Sequence, residues 1–389
     1  MGEKLNEASA VGTLSVPFNR PYTTGFELPY IAEAIDGAHL SGSGPFSSRC
    51  SNFLEELLGA KRVLLTHSGT GALEMAALLA EIKPGDEIVM PSFTFSSTAT
   101  AFVLRGATPV FVDVREDTLN LDERLVEAAL SDRTRAVVPV HYGGVGCALD
   151  ELTGIAAEHQ LHVIEDAAHA LGASLHGRLL GTYGALTALS FHETKNVICG
   201  EGGALVVNDP ELVARAEIIH EKGTNRRAFF RGQVDKYTWV DTGSSFPASE
   251  LAAAFLWAQL ERFEWLNDQR VAVWERYQES FGDLEAEGVL RRPVVPPGAG
   301  HNAHLYYLLL QSEERRGHLI TELAQRRIAT VFHYVPLHSS PAGRRYGRAA
   351  GDLPVTDDVS ARLLRLPLWV GMSDEQVDHV IASVREILA

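Results

Sequence analysis

Between residues 60 and 220, short and nearly continuous apolar runs alternate with segments of helical periodicity, and this alternation admits few architectures. The runs fall at 62–65, 87–90, 109–112, 136–140, 162–165, 185–191 and 204–207. Strands that are apolar at successive positions are covered on both faces, as in sheets flanked by helices. The segments between the earlier runs carry helical spacing: Leu73, Ala76, Ala77 and Ala80 recur at i, i+3, i+4 and i+7. The pattern predicts an α/β fold with a seven-stranded, mainly parallel sheet, helices on both faces and right-handed crossovers. Near residue 249 a single long helix, over 249–268, leads away from the sheet region. Pro293, Pro296, Pro297, Gly298 and Gly300 then mark a turn-rich link. Beyond it, 305–310 and 329–334 read as strands and 374–388 as a closing helix. The expected division is a large α/β domain with an N-terminal arm over 1–260 and a small α+β domain over 261–389.

Bulk properties narrow the function. A chain of 389 residues, 46% hydrophobic and 22% charged, has the composition of a soluble globular enzyme. A formal charge of −16 argues against a nucleic-acid surface, which needs a basic patch. Cys50, Cys147 and Cys199 are too few and too scattered for a disulfide framework or a zinc site, and no metal is expected. The start, Met1 to Ala8, lacks the basic and apolar regions of a signal peptide, and Gly2 lacks a myristoylation context. No apolar run is long enough to span a bilayer. The expected location is the cytoplasm, without membrane association.

Three short motifs carry chemistry. Ser68-Gly69-Thr70-Gly71 follows a strand and opens a helix, where backbone amides and the helix dipole favour a phosphate. A tight strand-to-helix turn would read the same way. The loop is neither a Walker loop nor a dinucleotide fingerprint. Asp166 ends an apolar strand at its carboxyl edge, where ligands bind in open α/β sheets. It suits a protonated pyridine nitrogen, or it caps the next segment. His169 reaches the same ligand or is a satisfied buried histidine. Lys195 stands just past another apolar strand, so its amine rises from the same edge. A lone loop lysine is ordinarily just solvated. A lysine, an acid and a phosphate loop together are the contacts that pyridoxal phosphate requires. Phe93 and Phe95 follow the strand at 87–90; either stacks on a ring or packs in the core, with Phe93 the better core residue. There is no His-Glu-x-x-His, Cys-x-x-Cys or Gly-x-Ser-x-Gly pattern for a metal site or a serine hydrolase.

Longer stretches carry a resemblance. Pro91 to Phe95, Val138 to Tyr142, Ser190 to Asn196, Glu221 to Arg226, Phe230 to Trp239 and Phe332 to His338 resemble the DegT/DnrJ/EryC1/StrS nucleotide-sugar aminotransferases, from about Pro17 to the C-terminus. Within that group the chain looks nearest to the dTDP-4-amino-4,6-dideoxygalactose transaminases. The resemblance implies a fold type I enzyme with pyridoxal 5'-phosphate, in which Lys195 is the Schiff-base lysine and Asp166 the pyridinium partner. It places Ser68, Gly69, Thr70 and Ser190 on the phosphate, His169 beside the cofactor hydroxyl and Phe95 against the ring. It implies a homodimer with shared sites. Where many members carry a cross-subunit Asn in Gly-Tyr-Asn-Tyr, this chain reads Gly243-Ser244-Ser245-Phe246, so Ser245 takes that position. Lys222, Thr224, Asn225, Arg226, Arg231, Lys236, Tyr237 and His338 are the candidates for the nucleotide sugar, with Arg226 or Arg231 for the donor carboxylate. Keeping Lys195 sets the chain apart from the dehydratase branch, which has histidine there. The implied reaction passes the amine of L-glutamate to C4 of a dTDP-4-keto-6-deoxy-hexose. Rivals are transfer at C3, a non-catalytic sensor of cofactor and sugar, and an NAD-dependent sugar dehydrogenase.

Overall fold

The computed structural model describes residues 14–389. The stretch read above for a leader or a Gly2 signal lies outside the described residues. All seven apolar runs are strands: Arg62–Thr66, Glu87–Pro91, Thr108–Val112, Thr134–Val137, His162–Asp166, Leu186–Ser190 and Gly203–Val207. Across the sheet the order is 62–66, 203–207, 186–190, 162–166, 134–137, 87–91, 108–112. Neighbours run parallel except for Gly203–Val207, which is antiparallel to both of its partners.

The reason for the continuous apolar runs is visible in the packing. Val63, Leu65, Val89, Val137 and Val206 join one buried cluster. Leu64, Ile88, Met90, Ala136 and Leu205, the alternate positions of the same strands, join a second cluster on the opposite face.

The structure departs from the sequence reading at three places. An eighth strand, Arg348–Ala349, pairs in parallel with Thr108–Val112 at the sheet edge. Two residues carry no periodicity that sequence could reveal. The expected helix over 249–268 is two helices, Glu250–Leu260 and Phe263–Ser280, separated at Arg262 (φ −115°, ψ 14°). The first packs on the large sheet's core through Ala253, Ala254 and Leu256. The second passes from that core to a separate C-terminal cluster that holds Val273, Trp274 and Tyr277. The break lets the two helices serve different cores.

The C-terminal part forms a three-stranded antiparallel sheet of Leu290–Arg291, Tyr306–Leu310 and Leu363–Leu366. The run at 329–334, expected as a strand, makes only one bridge, Val331 to Arg365. It then turns towards the large sheet, because its aromatic and imidazole groups find partners there. The Tyr142 hydroxyl lies 3.0 Å from Nδ1 of His333, and Tyr334 packs edge-on against Phe93 at 5.5 Å. The last helix, Asp374–Leu388, starts from a capping box. Ser373 Oγ accepts from the Gln376 amide at 3.2 Å, and Gln376 Oε1 accepts from the Ser373 amide at 3.1 Å.

Candidate active site

The carboxyl ends of the parallel strands meet the small sheet around a cavity of about 730 Å³. Ser68, Gly69, Thr70, Phe95, Asp166, His169, Ser190 and Lys195 all line it. They lie as much as 127 positions apart in sequence (195 − 68), and they converge because each follows or ends a strand of one sheet.

The loop at 68–71 is built as an anion cradle. Ser68 is the extended N-cap of the helix Gly69–Leu79, and its Oγ accepts from the Gly71 amide at 3.0 Å. That leaves the first helical amides, Gly69 and Thr70, at the cavity wall with the positive end of the helix dipole behind them. The Thr70 hydroxyl pairs with Ser97 Oγ at 2.8 Å. Backbone closeness sets the shape: a Cβ on Gly203 would stand 2.5 Å from Gly69 N and from the Ser68 carbonyl, and one on Gly69 would stand 2.9 Å from Ser190 Cβ. Gly203→Ala therefore pushes directly on the backbone of the loop. It is expected to weaken cofactor retention at least about ten-fold, the equivalent of about 1.4 kcal/mol, as read by equilibrium dialysis.

Asp166 ends the strand His162–Asp166 and is buried. Its Oδ2 accepts from Thr98 Oγ1 at 2.8 Å and its Oδ1 from the Ala168 amide at 3.2 Å. Two donors orient the carboxylate and leave accepting capacity on both oxygens. Lys195 lies in the turn after Leu186–Ser190, held by its own amide to the His192 carbonyl at 2.9 Å. Burial pushes its amine down to about 8, and the charge of Arg365 adds to this while Asp166 opposes it. The neutral amine is thus accessible near neutral pH, as a nucleophile or a proton acceptor must be. Burial holds His169 well below the usual imidazole range, so the ring is neutral. It stacks on His304 at 4.0 Å, and its Nδ1 accepts from the Gly143 amide at 3.4 Å. Phe93 is buried among Tyr142 and Tyr334, while Phe95 is exposed at the cavity wall.

These groups fit pyridoxal phosphate: an amide cradle with no room for a Cβ, a half-satisfied buried carboxylate, and a lysine of lowered basicity. Among the described residues no cluster of three or more His, Cys, Asp or Glu is placed to hold a metal.

The expected sugar-binding residues are elsewhere. Lys222, Thr224, Asn225, Arg226, Arg231, Lys236, Tyr237 and His338 do not line this cavity, nor does Ser245. Bridges between Thr224 and Trp239 and between Glu221 and Ser245 fold the segment back on itself. Arg231 is paired with Glu217 at 2.6 Å, and Arg226 lies 3.8 Å from Glu221. His338 lies between Ser92 Oγ (2.8 Å) and Asp357 (3.4 Å). Neither arginine offers its charge to a donor in this chain's own cavity.

The cavity instead holds residues that the sequence reading passed over. Thr98 orients Asp166. Phe18 and Asn19 close one side, and Asn19 Nδ2 donates to the Glu193 carbonyl at 3.3 Å. His304, His333, Tyr334 and Arg365 come from the C-terminal part. Arg365 had a signal in the sequence. It is the single charge in the apolar run 363–370, and arginine is rarely found in such a setting without a partner or a task.

Comparison with known proteins agrees with this chemistry. The model of the DegT/DnrJ/EryC1/StrS aminotransferase family matches residues 21–385. The spore coat polysaccharide biosynthesis protein SpsC of Bacillus subtilis is 35% identical over 381 residues, covering 96% of this chain and 97% of that protein. DesV of S. venezuelae, solved in complex with a ketimine intermediate, is 32% identical with a TM-score of 0.85, covering 96% of this chain and 98% of that one. NtdA of Bacillus subtilis, solved with bound pyridoxamine phosphate, is 26% identical with a TM-score of 0.84, covering 94% of this chain and 83% of that one. Sheet order, cavity and matched length converge, and the chain belongs to the DegT/DnrJ/EryC1/StrS aminotransferase family as a pyridoxal phosphate-dependent sugar aminotransferase.

Proposed function

We propose that this enzyme moves the amine of L-glutamate to C4 of a dTDP-4-keto-6-deoxy-hexose. The products are 2-oxoglutarate and a dTDP-4-amino-4,6-dideoxy-hexose. The observation that carries the reading is the meeting of Lys195, Asp166 and the 68–71 cradle in one cavity. The longer stretches shared with the nucleotide-sugar enzymes supply the substrate class.

When bound, pyridoxal phosphate supplies an aldehyde for the amine and an electron-withdrawing ring. The chain does the rest. The Gly69 and Thr70 amides and the hydroxyls of Ser68 and Ser190 would hold the phosphate. Asp166 would keep the pyridine nitrogen protonated, with His169 for the ring hydroxyl and Phe95 for the ring itself. Lys195 takes the proton from the donor's Cα; in the second half it returns a proton at sugar C4. The donor leaves as an oxo acid and the sugar ketone becomes an amine, so the two halves balance.

The segment 221–239 is read as serving a second copy of the chain. Its exposed Phe230, Tyr237 and Trp239, at 69%, 54% and 78%, suit a surface that a partner covers. On this reading Ser245, Lys222, Thr224, Asn225, Arg226, Lys236 and Tyr237 reach the partner's phosphate and nucleotide sugar. Arg231, committed to Glu217, supports that surface, and His338 braces the loop at Ser92.

Incubation with dTDP-4-keto-6-deoxyglucose and glutamate tests the proposal. Formation of 2-oxoglutarate and an amino sugar is expected. NMR coupling between H3, H4 and H5 then distinguishes an axial from an equatorial C4 amine. A product aminated at C3, or no 2-oxoglutarate at all, would refute the assignment.

A further inference from the structure

The turn that carries Lys195 and the loop that follows Asp166 are tied together by a third segment, residues 302–304. Asn196, next in the chain to Lys195, is buried. Its Nδ2 donates to the Asn302 carbonyl at 2.7 Å and to Asn267 Oδ1 at 3.0 Å. A backbone carbonyl can only accept, so the Asn196 amide has one orientation, and its Oδ1 accepts from His304 Nδ1 at 2.9 Å. On the other side, Asn302 Nδ2 donates to the carbonyls of His169 and Leu171 at 2.8 Å and 3.0 Å. Its Oδ1 is buried with no partner among the described residues, so the two donated bonds alone orient it. Arg270, buried on the helix Phe263–Ser280, clamps the same segment. Its Nε donates to the Ala303 carbonyl at 3.1 Å and its Nη2 to the His304 carbonyl at 2.6 Å. Between these bonds Ala303 keeps a left-handed φ of 50°, which a residue with a Cβ adopts only where its surroundings hold it.

We infer that Asn196 and Asn302 are positioning residues, two links in series that set where Lys195 stands relative to Asp166 and His169. This rests on the transaminase reading above. Strand pairing places Asp166 beside Ala188, but Lys195 lies five positions (195 − 190) past the end of that strand at Ser190. Its own backbone bond, to the His192 carbonyl, is internal to the turn. Two other ties of the turn run to Gly200, on the same loop, and to Asn19, in an exposed position. Neither reaches the Asp166 side. Among the described residues no hydrogen bond runs directly between the 192–196 turn and the 167–171 loop; the path goes from Asn196 to Asn302 and from Asn302 to the loop. The stack of His304 on His169 at 4.0 Å follows the same route. A proton passed between Lys195 and a carbon held over Asp166 depends on that separation, since a displacement of about 1 Å costs about 10²-fold in rate.

The test uses the holoenzyme in wild type, Asn196→Ala, Asn302→Ala and the double variant, with single-turnover changes in the visible absorbance of the bound cofactor on mixing with L-glutamate. Rate constant and amplitude are read apart. Molecules that have lost the fold or the cofactor subtract from the amplitude, whereas a misplaced lysine lowers the rate constant of the molecules that react. Each single variant is expected to lower the rate constant at least about ten-fold, with half-saturating glutamate within about three-fold of wild type. Because the links are in series, the double variant should be no slower than the slower single variant, where independent losses would multiply. Asn196→Ser, which keeps a polar group at Cβ, carries the test if the alanine variant does not fold, and the same result is expected of it. The visible circular dichroism of the bound cofactor, measured before any donor is added, should weaken in the same variants, because it reports how the chain holds the ring. Unchanged rate constants, losses confined to the amplitude, or losses that multiply in the double variant each overturn the inference. A wild-type enzyme that ignores glutamate and every other amino acid refutes the transaminase reading instead. An unaltered dichroism band in the variants then overturns the positioning role separately.

Discussion

Lys195→Ala is expected to abolish amine transfer and the yellow absorbance of the bound cofactor together. Proton transfer by a positioned side chain contributes up to about 10⁴-fold, and on the proposed mechanism this lysine also anchors the cofactor, so a loss of at least about 10⁴-fold in turnover is the expected result. Nothing nearby can substitute. His169, His304 and His333 are held neutral in a stack, and Arg365 does not deprotonate at working pH. Cofactor content measured by phosphate analysis separates loss of chemistry from loss of binding, because the 68–71 cradle is untouched by the substitution. A variant that turns over within about ten-fold of wild type would remove Lys195 from the mechanism.

Asp166→Asn probes charge with little change of shape. The Asn Oδ1 still accepts from the Ala168 amide. Its Nδ2 faces Thr98 Oγ1, which can turn to accept because its other contact, Thr94 Oγ1 at 2.8 Å, works in either direction. The fold should survive. On the proposed mechanism, what is lost is the anion that keeps the pyridine nitrogen protonated, and with it the ring's pull on the electrons released at Cα. A unit-charge contact at about 4 Å is worth about 4 kcal/mol at an effective dielectric constant of about 20, which corresponds to roughly 10³ in rate. Turnover in both half-reactions is expected to fall by that order with donor saturation little changed. An unaltered rate would show that another group protonates the ring.

Much of the large sheet could be read from the chain, because strands buried on both faces announce themselves as apolar runs. Lys195, Asp166 and the 68–71 loop were legible for a related reason: each breaks or ends such a run with a residue that does not belong in a core. What failed was what depends on partners distant in sequence. The run at 329–334 has strand composition, yet His333 and Tyr334 are drawn to Tyr142 and Phe93 at the large sheet. The helix expected over 249–268 is divided because its two parts pack on different cores. Arg365 stood in plain view as a lone charge in an apolar run, but its meaning depends on which residues surround it.

The sequence by itself determined the seven apolar strands of the large sheet and singled out Lys195, Asp166 and the 68–71 loop, since local patterning and residue chemistry travel with the chain. Only the tertiary structure decided which charges are free. Arg226 and Arg231 lie in the segments shared with the family and turn to carboxylates outside the cavity. Arg365 lies outside those segments and faces the cavity with no counter-ion among the described residues. The physical reason is that a charge's availability depends on its neighbours in space, and folding brings those from far along the chain.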